Sequence, residues 1–253
     1  MDTPILECRG LTKTFGGYVA VDRLDISVRP GTIHAIIGPN GAGKTTCFNL
    51  ITKTLLPSNG TIKLDGVDIT RLGPAQVAQR GLVRSFQISA VFPQLSAIDN
   101  VLVALQRRHG FTFKFWRRDC CIAPFFHRAE EILDQVGLLD YRDEPASQLS
   151  YGRKKILDIA TTLALDPRIL LLDEPMAGLG LEDIAHVATL IRDTARTCTV
   201  VMIEHNMSVV ADLSTTITVL QRGCELAEGD YATVSSNLSV IEAYVGASHE
   251  TAH

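Results

Sequence analysis

Three short stretches of the chain are almost wholly apolar and are bounded by polar or turn residues. They are Ile33–Ile37, Ile169–Leu172 and Val200–Ile203. Apolar runs of this length are typical of strands that are buried on both faces of a parallel sheet. Between the second and third runs, Ile184, Val187 and Ile191 recur at helical intervals. This alternation of strand and helix predicts an α/β fold with a mostly parallel sheet.

The N-terminal part of the chain follows a different pattern. Ile5–Leu11 and Val19–Val28 are rich in β-forming residues and flank a turn at residues 15–17. A third such segment, Thr61–Leu64, also ends at a turn. Short β-rich segments separated by turn residues predict antiparallel strands. We therefore expect an N-terminal antiparallel β subdomain beside the parallel core.

The middle of the chain, about residues 89–164, has a mostly helical pattern. Apolar residues recur there on one face of each of two predicted helices. They are Ile98, Val101, Leu102 and Leu105 in the first helix, and Ile156, Leu157, Ala160 and Leu163 in the second. We interpret this stretch as a helical subdomain inserted into a single domain over residues 5–246. A last helix carries Leu238, Ile241 and Val245, and a flexible tail is predicted over 247–253.

Composition and charge limit the classes of function. Of the 253 residues, 46% are hydrophobic and 21% are charged, as in an ordinary folded protein. The net charge of −4 gives no overall attraction to nucleic acid or to an anionic membrane. No apolar run approaches the ~18–20 residues of a membrane helix, and Met1–Leu6 has no features of a secretory signal. The six cysteines show neither metal-ligand pairs nor a disulfide framework, so we expect a soluble, cytosolic protein.

One segment fits the phosphate-loop pattern G-x-x-x-x-G-K-[ST]. It follows the apolar strand Ile33–Ile37 and precedes a predicted helix that runs through Leu55, which is the context that the motif requires. The alternative is a glycine-rich turn with no ligand, and the strand and helix on either side argue against it. We expect the whole segment to bind the phosphates of a nucleoside triphosphate. Its residues are Gly38, Pro39, Asn40, Gly41, Ala42, Gly43, Lys44, Thr45 and Thr46.

Each part of this loop has an expected role. The glycines let the backbone curl, so that successive N–H groups point at phosphate oxygens. The helix that follows adds unpaired N–H groups and a partial positive charge. Lys44 is expected to reach the β- and γ-phosphates, the Thr45 hydroxyl to ligate Mg²⁺, and Thr46 to approach the α-phosphate.

Two carboxylates follow the second apolar run directly. Buried charge is costly without a partner, and Mg²⁺ bound to phosphates supplies one for Asp173. Glu174, one residue further on, is placed to orient or deprotonate the attacking water. The alternative is that both are solvated acids at a strand end, which is the weaker reading beside a phosphate loop.

Two more polar residues follow β-like stretches. His205 comes just after the third apolar run, and Gln87 comes after Leu82–Phe86. Ligands of open α/β sheets bind outside the carboxyl ends of the strands, so these side chains are expected at the same edge as Asp173. His205 would then contact the γ-phosphate and help to place the water. A lone histidine at a strand end is more often structural, and the shared edge favours the catalytic role here.

A fifth motif, Leu149-Ser150-Tyr151-Gly152-Arg153, lies before the second apolar run and resembles the LSGGQ signature of the ATP-binding cassette (ABC) family. Together the motifs resemble this family from about Ile5 to Gly246. The resemblance implies a P-loop NTPase core that binds ATP and Mg²⁺ and hydrolyses the ATP. It makes Gln87 the Q-loop glutamine, which also reaches the metal, and His205 the H-loop histidine. Ala177–Gly180 would be the D-loop, and Phe15 the aromatic that stacks on adenine.

The signature departs from the family pattern at two positions. Tyr151 replaces the first glycine and Arg153 replaces the glutamine. The resemblance keeps Ser150 and Gly152, which in the family donate to the γ-phosphate of ATP bound to the opposite subunit. It therefore implies a head-to-tail dimer with two ATP molecules between the chains. The D-loop lacks the usual Ser and Asp.

The motifs are together most similar to the ATPase subunits of branched-chain amino acid importers. That likeness implies import of branched-chain amino acids or similar small polar solutes through two membrane permeases, and indirectly a solute-binding protein. It implies a peripheral location at the cytoplasmic face of the inner or plasma membrane, and no nucleic-acid partner. The alternative function is a soluble ABC ATPase that is not coupled to a permease. Such proteins usually carry two cassettes or a long coiled-coil insertion, and neither is present.

Aromatic and basic residues crowd one stretch of the helical middle. The aromatic residues are Phe111, Phe113, Phe115, Trp116, Phe125 and Phe126, and the basic ones are Arg107, Arg108, Arg117, Arg118 and Arg128. One interpretation is a subdomain core with basic edges. The other is a docking surface for the membrane partner, because aromatic residues and arginine are favoured at interfaces. The sequence leaves both open.

Overall fold

The structure is a computed structural model, and it describes residues 3–85, 91–108 and 123–250. Its ten strands within these residues are β1 (Leu6–Phe15), β2 (Tyr18–Val28), β3 (Ile33–Ile37), β4 (Asn59–Leu64), β5 (Val67–Asp68), β6 (Leu82–Arg84), β7 (Ile169–Asp173), β8 (Thr199–Ile203), β9 (Thr216–Gln221) and β10 (Cys224–Gly229). The α-helices are α1 (Lys44–Ile51), α2 (Pro74–Gln79), α3 (Ala97–Arg108), α4 (Ala123–Gln135), α5 (Tyr151–Leu163), α6 (Leu181–Thr194), α7 (Met207–Leu213), α8 (Tyr231–Ser235) and α9 (Leu238–Glu250).

The three apolar runs form the centre of a six-stranded sheet. The strand order is β10-β9-β3-β8-β7-β6, with parallel pairing from β9 to β6 and β10 antiparallel at one edge. Every residue of β3, β7 and β8 is buried. The predicted parallel core is confirmed, because strands covered on both faces need no polar side.

The β-rich N-terminal segments form a separate four-stranded sheet in the order β2-β1-β4-β5. All of its pairings are antiparallel, as expected. Tyr18 pairs with Phe15 across the glycine turn, so the first hairpin is closed where the sequence predicts a turn. The α/β fold with an antiparallel N-terminal sheet is confirmed.

The two sheets enclose a core that contains α1, and the helical middle covers the opposite face of the parallel sheet. Successive residues of a strand point to opposite faces. Leu171 of β7 therefore packs with Leu6 and Phe48, whereas its neighbours Leu170 and Leu172 pack with residues of α3, α4 and α5. The expected apolar faces of α3 and α5 lie in this second core. The division into subdomains stays a prediction.

Two boundaries differ from the expected ones. β6 ends at Arg84, Ser85 follows it outside the strand, and Phe86 lies outside the described residues. The last helix, α9, continues to Glu250 and so runs past Gly246, where we place the start of a flexible tail. No glycine or proline follows Gly246 in the helix, so nothing in the backbone chemistry stops it there. Within the described residues, no helix has both the length and the apolar character needed to cross a membrane.

Candidate nucleotide site

The phosphate loop occupies the turn between β3 and α1. Gly38 and Gly43 have positive φ values of 148° and 99°. A Cβ on Gly38 would lie 2.2 Å from the backbone oxygen of Leu220, and one on Gly43 would lie 2.6 Å from that of Ala20. Both positions therefore require glycine, because neighbouring backbone leaves no space for a side chain.

Lys44 begins α1, and its side chain folds back over the loop. Its Nζ donates to the backbone oxygens of Gly38 at 2.7 Å and Pro39 at 3.0 Å. Burial lowers the pKa of this ammonium, and the carboxylates of Glu174 and Asp173 act in the opposite direction. The loop thus presents a positive charge near the start of a helix, where an anion is doubly favoured.

Glu174 is the first residue after β7 and has an unusual backbone. Its φ is 48°, a left-handed conformation that costs a non-glycine residue about 1–3 kcal/mol. Its N–H donates to the oxygen of Ile203 at 2.9 Å, and its oxygen accepts from the N–H of Ala177 at 3.1 Å. Such strain persists only where the surrounding structure holds it.

The Glu174 carboxylate and the His205 imidazole meet at this edge. The distance between Oε1 of Glu174 and Nε2 of His205 is 2.8 Å. The sheet register explains the meeting, since Asp173 of β7 lies opposite Ile203 of β8 and the two chains leave the sheet side by side. The predicted convergence of these two residues on one edge is confirmed.

Asp173 lies just inside the same edge and is 4% exposed. Its Oδ2 accepts a hydrogen bond from Nη2 of Arg84 on β6, in an ion pair. The same guanidinium donates through Nη1 to Oδ1 of Asn49 on α1 at 2.6 Å. Arg84 therefore connects β6, β7 and α1 behind the phosphate loop, a contact that the sequence did not reveal.

A cavity of about 310 Å³ joins these parts. Seven of the nine predicted loop residues line it together with Glu174 and His205. They are Asn40, Gly41, Ala42, Gly43, Lys44, Thr45, Thr46, Glu174 and His205. Tyr18 and Ala20 of β2 complete the lining. Phosphate-binding backbone, an ammonium and a carboxylate–imidazole pair in one cavity are suited to hydrolysis of a phosphoanhydride.

Comparison with known proteins agrees with this chemistry. Residues 21–177 match the family model described as ABC transporter. The chain is 38% identical to BraF of Pseudomonas aeruginosa, a high-affinity branched-chain amino acid transport ATP-binding protein, over 97% of this chain and 99% of BraF. The chain belongs to the ABC transporter family. It is an ABC-type ATPase, and its nucleotide is ATP.

Two solved ABC cassettes are similar in structure. The ADP conformation of MJ1267 aligns with a TM-score of 0.85 at 28% identity, over 96% of this chain and 99% of MJ1267. The dimeric structure of MJ0796, a bacterial ABC transporter cassette, aligns with a TM-score of 0.75 at 25% identity, over 89% of this chain and 98% of that one.

The ABC signature segment starts α5 and lies apart from the cavity lining. Ser150 caps this helix, with its Oγ accepting from the N–H of Arg153 at 3.3 Å. Gly152 packs against the carboxylate of Asp183, because an added Cβ would lie 2.3 Å from Oδ2. The structure therefore does not bring Ser150 and Gly152 to the cavity formed by the phosphate loop of the same chain.

The two substituted positions of the signature make contacts within the chain. The Tyr151 hydroxyl donates to the backbone oxygen of Ala177 at 3.3 Å. The Arg153 guanidinium stacks on the Tyr141 ring with its carbon 3.8 Å from the ring centre, and donates to the Tyr141 hydroxyl at 2.6 Å. The extra positive charge is thus engaged by an aromatic side chain.

The aromatic residues near the cavity differ in position. Phe15 is 44% exposed, and the Nζ of Lys13 lies 5.0 Å from the centre of its ring. Tyr18, its partner in the hairpin, lines the cavity. The stacking role of Phe15 stays a prediction, and sequence reasoning did not single out Tyr18, although both flank the same glycine turn.

Some expected residues lie outside the described part of the chain. Gln87 is among them, and so is most of the aromatic and basic stretch, including Phe111, Phe113 and Trp116. At its end, Phe125 packs against the helical core and Phe126 is 42% exposed.

The donors near the cavity suit Mg²⁺. Thr45 offers a hydroxyl and Asp173 a carboxylate, and hard divalent cations prefer such oxygen ligands. No cluster of three or more His, Cys, Asp or Glu side chains suited to a metal occurs among the described residues.

Proposed function

We propose that this chain hydrolyses ATP at the cavity described above and so powers import of branched-chain amino acids, or of similar small polar solutes, through partner permeases. The pairing of Glu174 with His205 beside the phosphate loop carries the hydrolytic part of the proposal. The likeness to BraF over nearly the whole chain supports the transport part.

The proposed reaction is an in-line attack of water on the γ-phosphorus. Glu174 accepts a proton from the water as its oxygen bonds to phosphorus, and the bond to the β,γ-bridging oxygen breaks to give ADP and phosphate. Lys44 neutralises charge that develops on the phosphate oxygens. His205 orients Glu174 and contacts the γ-phosphate, with Gln87 completing the set. The backbone of Gly38–Thr46 holds the remaining phosphates, and Phe15 stacks on the base.

Mg²⁺ would be held by Thr45 and Asp173, with Gln87 reaching the same ion, and it would neutralise charge on the bridging phosphate oxygens. The Asp173 carboxylate already accepts from Arg84 through Oδ2, which holds it in a fixed orientation. Thr45 lines the cavity that the phosphates would fill.

The proposed active unit is a head-to-tail dimer, with a second copy or a similar ATPase subunit as the partner. Ser150 and Gly152 of one chain would then donate to the γ-phosphate held by the other. The separation of these residues from their own cavity supports this arrangement, and MJ0796 forms a dimer. Two permeases would anchor the pair at the cytoplasmic face of the inner or plasma membrane, and a solute-binding protein would act indirectly.

The hydrolytic role is tested by Glu174→Gln in the full chain. Loss of a general base should lower turnover by at least about 100-fold, while the Kd of ATP stays within about threefold because the phosphate loop is untouched. Glu131→Gln, an exposed carboxylate of α4, is the matched control and should keep full turnover. Undiminished turnover in Glu174→Gln would contradict the assignment.

The transport role needs a separate measurement. Cells that carry Glu174→Gln in place of the native residue should lose uptake of radiolabelled leucine, isoleucine and valine. Normal uptake of all three, together with loss of ATP turnover, would refute the solute class and leave the ATPase assignment intact.

A further inference from the structure

Glu204, the residue between β8 and His205, is a buried carboxylate to which the ATPase chemistry assigns no role. It is 3% exposed and is surrounded by backbone N–H groups from two separate loops. Its Oε1 accepts from the N–H of Met176 at 3.0 Å. Its Oε2 accepts from the N–H of His205 at 2.6 Å and from that of Asn206 at 3.1 Å.

These bonds connect the two loops that carry Glu174 and His205. Met176 belongs to the turn after β7, in which the oxygen of Glu174 accepts from the N–H of Ala177. His205 and Asn206 belong to the loop after β8. One carboxylate therefore ties the backbone on the Glu174 side to the backbone on the His205 side.

The chemistry of a carboxylate suits this position. An ionised carboxylate only accepts hydrogen bonds, and its two oxygens offer about four acceptor sites. Bonds from N–H groups to a charged acceptor are stronger than neutral ones, and burial keeps water from competing with them. A glutamine has one acceptor oxygen, and its amide nitrogen would face an N–H donor on one of the two sides.

Both loops also need such support. Glu174 has a φ of 48°, a strained backbone that its surroundings must hold. Asn206 starts α7 and caps it, with Oδ1 accepting from the N–H of Ser208 at 3.1 Å. A shift of either loop would lengthen the 2.8 Å contact between Glu174 and His205.

We propose that Glu204 is a positioning residue of the ATPase, which holds Glu174 and His205 in register by bridging the backbone of Met176 to that of His205 and Asn206. Glu204 takes no part in the reaction itself. The inference rests on the proposed roles of Glu174 and His205.

The kinetic test compares Glu204→Gln with the unchanged full chain. Misplacement of a reacting group by about 1 Å costs on the order of 100-fold in rate, so kcat should fall between about tenfold and about 100-fold. The KM and Kd of ATP should stay within about threefold, because the N–H groups that bond to the Glu204 carboxylate belong to Met176, His205 and Asn206, outside the phosphate loop. Asp230→Asn, which alters a carboxylate that accepts a backbone N–H at the start of α8, is the matched control and should keep kcat.

A double-mutant cycle separates positioning from a general loss of structure. If Glu204 acts through His205, then Glu204→Gln should cause no further loss of turnover in the His205→Ala background. An equal loss in both backgrounds would overturn the proposal, as would unchanged kcat in the single variant or a loss confined to ATP affinity.

Hydrogen exchange tests the same bonds in the unaltered chain, and so remains decisive even if Glu204→Gln fails to fold. The amides of Met176, His205 and Asn206 should be protected, and rapid exchange at all three would overturn the proposal. Glu204→Asp has a shorter side chain that cannot span both loops, and its kcat should be intermediate. If Glu204→Gln is fully active and Glu174→Gln is inactive, the positioning role of Glu204 is refuted and the proposed role of Glu174 is unaffected.

Discussion

The phosphate loop and the signature segment both place the start of a helix where a phosphate is expected to bind, yet their surroundings differ. The loop before α1 opens into a cavity that it shares with Glu174 and His205. The signature segment at the start of α5 packs instead against its own chain, with Tyr151 on Ala177 and Gly152 against Asp183. The first helix start therefore faces a cavity of its own chain and the second does not, and in the proposed dimer a second chain would bring the phosphate to it.

The largest effect is expected from a substitution that removes the positive charge of the phosphate loop. Lys44→Ala should raise the Kd of ATP for the monomer by about 100-fold or more, since each bond to a charged group contributes about 1.5–3 kcal/mol. The matched change in the signature helix is Lys154→Ala, which removes a bond to the oxygen of Ser147 at 2.9 Å. Isothermal titration calorimetry should show unchanged ATP affinity for that control. A similar loss of ATP affinity in both variants would contradict the difference between the two regions.

A change in the signature glycine should affect dimer turnover and leave monomer binding alone. Gly152→Ala puts a methyl group where Asp183 now packs and where a partner's phosphate would approach. We expect ATP-dependent dimerisation to weaken and turnover to fall about 10- to 100-fold, in keeping with loss of a donor to the transferring group. Light scattering and ATPase assays measure the two effects.

Gly73→Ala is the control for that substitution. Gly73 also precedes a helix, and an added Cβ would meet only Oε1 of Gln76, at 3.8 Å. Its dimerisation should be normal. If Gly152→Ala also weakens ATP binding by the monomer, then the signature segment contributes to the nucleotide site of its own chain, which would contradict the proposed division between the two regions.

The smallest expected effect concerns the link between the signature and the D-loop. Tyr151→Phe keeps the ring beside Gly178 and removes the hydroxyl that donates to Ala177 at 3.3 Å. A typical hydrogen bond contributes about 0.5–1.5 kcal/mol, and this long, exposed one should lie at the lower end of that range, so turnover should change by about threefold or less. Tyr151→Gly, which restores the family's usual residue, should change it more because the ring contact is lost too. Equal effects would assign the link to the hydroxyl.

Sequence patterns predicted the strands well because burial on both faces leaves a plain signal. Ile33–Ile37 was expected as a strand and is β3, and Ile169–Leu172 is β7 with Asp173 added at its end. The same reasoning placed Glu174 and His205 at one edge, since parallel strands end together. It gave no account of α9 beyond Gly246, because short polar segments carry little periodic information.

Contacts between distant segments left no comparable trace in the sequence. Glu204 follows an apolar strand just as Asp173 does, and that shared pattern was the one available signal for a buried functional carboxylate. Arg84 lies in Leu82–Phe86, the β-like stretch that precedes Gln87, and its bonds to Asp173 and Asn49 depend on β6, β7 and α1 meeting. Tyr18 and Phe15 flank the same glycine turn, so the sequence pattern does not tell which of the two lines the cavity. The structure places Tyr18 in the cavity lining.

Local patterns in the sequence are enough to predict the phosphate loop, the polar residues that follow the apolar strands and the resemblance to the ABC family. These follow from local rules, in which glycine allows a positive φ, apolar runs are buried and a helix start attracts anions. The tertiary structure alone decided that Glu174 lies 2.8 Å from His205, that Glu204 bridges their two loops, and that Gly152 faces Asp183. Such contacts depend on the packing and register of segments far apart in the chain, which the local pattern of residues does not encode.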